Sequence, residues 1–214
     1  MVMTYKVVSA TPSPFARKVR IALFEKGLQF ELITEVPWHS ATITPKFNPL
    51  EKLPILILDD GSSVYESSFI IQYLELRHPE PPLIPHDIDQ NIAARRLEVL
   101  CDGVCDAIVL ILLERMRSAS SQSAEWIDRQ RRKIDGGVRA LAELVGNATY
   151  SVGDRFSLGD IAVGTALGYA SLRFAEFDWK DAYPCLARFS ERIEDRASFK
   201  ETVPVIQNIS EKVV

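Results

Sequence analysis

Apolar positions along the first 77 residues switch repeatedly between strand-like and helix-like spacing. Short apolar runs at Tyr5–Ser9, Phe30–Thr34, Ile55–Leu58 and Ser63–Tyr65 predict strands, whereas Pro14–Lys26 and Ser67–Arg77 predict helices. Gly27 stands where the first helix should end, and Asp60-Gly61 between two apolar runs predicts a hairpin. The last two strands are therefore expected to be antiparallel, on one edge of a mixed sheet. Four prolines between His78 and Ile88 exclude a helix interior or a central strand and predict a linker. Beyond them the spacing is helical over Asp89–Arg117, Glu125–Val145, Leu158–Ser171 and Leu186–Asp195. In the first of these helices Ile92, Leu97, Leu100, Val104, Ile108 and Ile111 form the expected core stripe. The pattern predicts an α/β domain over residues 1–80, a linker over 81–88 and an all-helical domain over 89–214.

Composition narrows the class of partner. A formal net charge of -4 argues against gripping phosphate backbones, so nucleic acid is not expected as a partner. The longest uninterrupted apolar run, Ala107–Leu113, is far short of the ~20 residues that span a bilayer. No secretory signal pattern opens the chain, and a soluble cytoplasmic protein is expected. Cys101, Cys105 and Cys185 fit reduced thiols better than a disulfide framework, and no spacing suggests a metal site. The basic run Arg129, Arg131, Arg132 and Lys133 is interleaved with Asp128 and Asp135, as on a solvated helix face.

The first chemistry-bearing segment is Ser13-Pro14-Phe15-Ala16. Ser13 is an N-cap residue type and Pro14 suits the first helical position, so an anion beside Ser13 would meet unpaired N–H groups and the positive helix end. Ser9 and Thr11, in the same strand-to-helix turn, offer competing hydroxyls.

Four segments in order resemble the cytosolic glutathione transferases, and the resemblance covers essentially the whole length. Ser13-Pro14-Phe15-Ala16 is similar to a serine form of the glutaredoxin Cys-Pro-aromatic-Cys turn. Asn48-Pro49-Leu50-Glu51-Lys52-Leu53-Pro54-Ile55-Leu56 is similar to Asn-Pro-x-Gly-x-Val-Pro-x-Leu, with Glu51 where the family usually has glycine. Tyr65-Glu66-Ser67-Ser68 matches a Glu/Gln-Ser signature, and Phe156-Ser157-Leu158-Gly159-Asp160-Ile161 a helix capping box. The chain thus resembles serine-type members: bacterial transferase-like proteins and the tau and zeta classes.

The resemblance implies an α/β plus all-α fold: an N-terminal thioredoxin-like domain and a C-terminal helical bundle. It implies glutathione as co-substrate, a small hydrophobic electrophile as second substrate, and a homodimer. Ser13, which takes the redox-cysteine position of the related turn, would donate a hydrogen bond to the thiol and favour its thiolate. Leu53, before a cis Pro54, would pair main chain to main chain with the cysteinyl part. Glu66 would meet the α-ammonium and Ser67, as N-cap, the α-carboxylate, with Lys52 and Phe15 also binding glutathione. Arg17 is a candidate near the sulfur, and Cys105, Val109, Leu112, Arg115 and Trp38 are candidates for the electrophile's wall. The alternatives are a non-catalytic glutathione-binding or assembly module, or a dedicated glutathione-dependent isomerase or dehalogenase.

Overall fold

The computed structural model describes residues 5–211 and Val213. Residues 5–84 together with 196–211 form one compact unit, and residues 85–195 form the other.

In the first unit β1 (Tyr5–Ser9), β2 (Phe30–Thr34), β3 (Ile55–Ile57) and β4 (Ser63–Tyr65) make a sheet of order β2-β1-β3-β4. β1 and β2 are parallel, and the other two pairings are antiparallel. A parallel pair needs a crossover, and α1 (Pro14–Glu25) supplies it. The hairpin expected at Asp60-Gly61 joins β3 to β4, with Gly61 at φ +82°, a region that other residues rarely enter. A short α2 (Thr44–Phe47), not foreseen from spacing, precedes β3, and α3 (Ser67–Arg77) follows β4. The core joins Val7, Val8, Ile55 and Leu56 of the sheet with Val19, Leu23, Ile70 and Leu74 of α1 and α3, all buried.

The proline-rich run is bound to this unit as far as Ile84. The Lys26 ammonium lies 2.6 Å from a Glu75 carboxylate oxygen and donates to the carbonyls of His78 and Pro81 at 2.7 and 2.9 Å. Glu75 in turn accepts from the N–H groups of Leu83 and Ile84, and the Tyr5 hydroxyl bonds His78 Nε2 at 2.7 Å. A buried charge needs its bonding capacity met in this way.

Residues 196–211 were expected in the helical domain; they belong to the first unit. α9 (Ala197–Lys200) docks on α1. Arg17, a candidate near the sulfur, is instead committed to this segment and is only 1% exposed. Its guanidinium sits 5.0 Å from the centre of the Phe199 ring and donates to the Phe199 carbonyl and the Thr202 hydroxyl. At the other end of α1, Glu25 accepts from Arg196 at 3.0 and 2.8 Å and from the Ser198 hydroxyl.

The second unit holds α4 (Ile88–Met116), α5 (Ala124–Val145), α6 (Leu158–Arg173), α7 (Trp179–Ala182) and α8 (Pro184–Glu194). α4 packs on α5 and α6, and α8 packs on both α5 and α6. Gly137 allows a close approach of α5 to α4, since a Cβ there would lie 2.3 Å from Val104 Cγ2. Leu97, Val104, Ile108 and Ile111 are buried as the stripe requires, whereas Ile92 is 61% exposed. The five-residue step from Ile92 to Leu97 turns about 140° around the helix, which carries Ile92 off the core face. Among the described residues no helix is long and apolar enough to cross a membrane.

Candidate functional site

Sheet register brings the three polar segments of the first unit to one end. Val8 pairs with Ile55, and Ile55 pairs with Tyr65. β3 runs opposite to its neighbours, so its start lies beside the ends of β1 and β4. Leu53-Pro54 leads into this row, while the Ser13 turn and Glu66-Ser67 lead out of it. β2 ends here as well, because Ser9 pairs with Thr34. From β1 to β4 is two strand spacings, about 10 Å, comparable with the reach of an extended tripeptide.

Ser13 is the N-cap of α1, and its Oγ accepts from the Ala16 N–H at 3.2 Å. A hydroxyl that accepts through a lone pair keeps its own hydrogen for a second partner. The first turn of α1 carries no acidic residue, so the hydroxyl lies in a field favouring anions. The two competing hydroxyls are committed. Ser9 is buried and donates to the Ala10 carbonyl at 3.2 Å, and Thr11 donates to the Val205 carbonyl at 2.8 Å.

The Leu53–Pro54 bond is cis, as the resemblance implied. Asn48 braces the loop before it: its Nδ2 donates to the Lys52 carbonyl at 2.8 Å and its Oδ1 accepts from the Leu50 N–H at 2.9 Å. Glu51 adopts φ +54°, which explains why the related motif has glycine there; this chain holds a side chain in a conformation that glycine adopts at no steric cost. Lys52 is exposed, with its side chain toward solvent, and Phe15 is half-buried in the first turn of α1.

Ser67 was expected to cap α3, but the cap position belongs to Glu66. Glu66 is exposed at φ +73°, and Ser67 is the buried first residue of the helix. A non-glycine residue held at positive φ costs of order 1–3 kcal/mol and clusters at functional sites. The shift leaves the carboxylate of Glu66 outside the helix and the Ser67 N–H among its unpaired first-turn donors.

Trp38 is half-buried in the loop after β2. The wall candidates of the second unit differ among themselves. Cys105 is buried, Val109 and Leu112 are half-buried, and Arg115 is paired with Glu176, its guanidinium 5.7 Å from the Phe174 ring centre. Arg131 joins the same carboxylate at 3.3 Å; burial raises the Glu176 carboxyl, but the Arg115 hydrogen bond, a backbone N–H bond and the charges of both arginines hold it below its ordinary value. Among the described residues no group of three or more His, Cys, Asp or Glu could hold a metal ion.

Comparison with known proteins agrees with this architecture. Residues 12–77 match the glutathione S-transferase N-terminal domain, and residues 124–192 match the glutathione S-transferase C-terminal domain. The chain belongs to the glutathione S-transferase family. The uncharacterized GST-like protein YibF of Escherichia coli is 35% identical over 93% of this chain and 98% of its own length. The maleylacetoacetate isomerase of Pseudomonas aeruginosa is 31% identical over 89% of this chain and 91% of its own. A glutathione S-transferase from Methylobacterium radiotolerans, solved with glutathione sulfonate, is 61% identical, covers 99% of this chain and 100% of its own, and has a TM-score of 0.97. One from Methylobacillus flagellatus, solved with glutathione bound, is 41% identical over 94% of this chain and 100% of its own, with a TM-score of 0.90.

Sequence reasoning missed two contributors on this end of the sheet. Asn48 was quoted only as part of a motif, although its side chain organises the loop before Pro54. The segment after Thr202 was assigned to the helical domain with no site role, yet Gln207 Oε1 accepts from the Thr11 N–H at 3.1 Å. Pro204 alone signalled that this segment is not helical.

Proposed function

We propose that this family member binds glutathione along the row from Ser13 to Glu66 and presents its sulfur, as thiolate, to a small electrophile. The observation that carries the reading is the open cap at Ser13, whose oxygen already serves Ala16 while its hydrogen is left for an anion. A free thiol has a pKa near 8.5 and is mostly protonated at neutral pH. A hydroxyl donor with the positive end of α1 lowers this by about one to two units, raising the thiolate-to-thiol ratio about 10- to 100-fold. The thiol proton leaves to water, and the sulfur lone pair forms the new S–C bond as a leaving group departs from that carbon with its bonding pair or, in an addition, as the π pair shifts to the neighbouring atom and takes up a proton from water.

In this reading the Leu53 main chain aligns the cysteinyl part as an added strand would, Glu66 pairs with the α-ammonium, and the first-turn N–H groups at Ser67 receive the α-carboxylate. Phe15 and Lys52 flank the peptide. Ligands of the Methylobacterium and Methylobacillus proteins support glutathione as the co-substrate. The Pseudomonas isomerase relative favours a second form of the same chemistry, in which the thiolate adds to a double bond and is expelled after rotation. Ile88, Ile92 and Val99 share an exposed apolar face of α4, which supports a homodimer.

Ultraviolet absorbance of bound thiolate, followed against pH, tests the proposal. Wild type is expected to titrate bound glutathione well below the free thiol, whereas Ser13→Ala returns it toward the free value. With a chromogenic electrophile Ser13→Ala is expected to lose about 10- to 100-fold in kcat/KM. Full activity in that variant refutes the role of Ser13.

A further inference from the structure

We infer that the C-terminal segment, residues 203–211, is a strap that holds the β1–α1 turn in register for Ser13, with Gln207 as its positioning residue. The inference rests on the reading of Ser13 as the partner of the thiolate.

The segment lies outside both ranges matched to the family's domains, 12–77 and 124–192. It runs without helix or strand across the loops that follow β1 and β2. Its fixtures are polar. The Val205 carbonyl accepts the Thr11 hydroxyl at 2.8 Å, and Gln207 Oε1 accepts the Thr11 N–H at 3.1 Å. Gln207 Nε2 donates to the Glu35 carbonyl at 3.4 Å, and the Glu35 N–H donates to the Ser9 carbonyl at 2.9 Å. One amide side chain therefore ties together the residues that follow the two parallel strands. Farther along, Ser210 N–H donates to His39 Nε2 at 3.2 Å, and Glu211 accepts from the Ser40 N–H at 2.8 Å.

Apolar burial does not explain this path. Val205 and Ile206 are 59% and 60% exposed, so the strap rests on hydrogen bonds rather than on a core. Thr11 stands two residues before Ser13, and the Ser13 N–H donates to the Ala10 carbonyl at 3.1 Å, closing the same turn. Fixing both polar groups of Thr11 fixes the turn from which the Ser13 hydroxyl projects. It also withdraws the Thr11 hydroxyl from competition, leaving Ser13 as the donor. Small errors in placing a donor weaken its hold on an anion steeply, so a segment that touches neither substrate can still set the thiol's acidity.

The test compares wild type with Gln207→Ala, Thr11→Val and Thr11→Ser, reading thiolate absorbance of bound glutathione against pH and glutathione affinity by calorimetry. Gln207→Ala and Thr11→Val are expected to lower the thiolate-to-thiol ratio at neutral pH about 3- to 10-fold, with kcat falling in proportion. KM for glutathione should rise by no more than about threefold, the amount that the lost thiolate stabilisation itself dictates, since no binding group is removed. Thr11→Ser keeps both polar groups and should titrate like wild type. A Gln207→Ala protein with wild-type titration overturns the strap, as does a loss of affinity with the thiol's acidity unmoved. Wild type failing to bind glutathione or to acidify it sinks the reading of Ser13, and the strap with it, before any variant is made.

Discussion

Ser13-Pro14-Phe15-Ala16 and Ser157-Leu158-Gly159-Asp160 each set a serine before an α-helix, and they differ most at the third helical position, alanine in α1 and aspartate in α6. At α6 the cap is closed. Asp160 reaches back to accept the Ser157 N–H and the Ser151 N–H, both at 2.7 Å, and takes the Ser157 hydroxyl at 3.2 Å. Burial pushes the Asp160 carboxyl up, against the pull of those same bonds. At α1 no side chain reaches back, and Ser13 stays half-exposed with its hydrogen unspent. One residue type thus serves folding where the helix supplies its own anion and, in the function proposed above, chemistry where the anion comes from outside.

The most severe way to break this contrast is to open the closed cap. Asp160→Ala leaves the buried Ser157 N–H and the part-buried Ser151 N–H without their acceptor and is expected to cost about 2–5 kcal/mol. Chemical denaturation should register that loss, while Ser13→Ala costs only about 1 kcal/mol by the same measurement. Equal losses in the two variants would erase the distinction between a folding cap and a chemical one.

A gentler comparison uses the second helical position. Gly159→Ala sets a Cβ 2.6 Å from Ser151 Oγ and 3.2 Å from Leu97 Cδ1, and should cost about 1–3 kcal/mol of stability. The corresponding Phe15→Ala is expected to weaken glutathione binding several-fold, by about 1 kcal/mol, as calorimetry would show. The smallest effect sharpens the contrast through pH. Burial, then Lys26 and Arg77, hold the His78 imidazole below its ordinary 6.5. Above that pH both states are neutral; as pH falls through it the unfolded chain takes up the proton first, so stability falls until the folded imidazole also charges. Thermal midpoints should decline on mild acidification, and His78→Gln should flatten the decline.

Long-period features were legible in the sequence because each is written locally. The α4 stripe from Leu97 onward, the Asp60-Gly61 hairpin and the closed cap at Ser157 lie within a few residues of the letters that signal them, whereas the cis bond at Leu53–Pro54 was expected only from the resemblance. The four-residue helices α2, α7 and α9 were not, since one turn is too short to show a period. Other departures came from partners far away in sequence. Arg17 reads as a candidate near the sulfur until Phe199 and Thr202 arrive, and Thr11 bonds Gln207 across 196 positions. Glu66 took the cap from Ser67 through a backbone conformation that a side chain's identity does not announce.

The first unit is assembled from two stretches far apart in sequence, residues 5–84 and 196–211. On the ribosome this has a plain result. At roughly 5–20 residues per second the last stretch emerges about 10 seconds or more after the first helix is made. Until then the cationic face of α1, with Arg17, lacks the Phe199 segment that covers it. Synthesis that stops before Phe199 therefore leaves the first unit without the segment that buries Arg17.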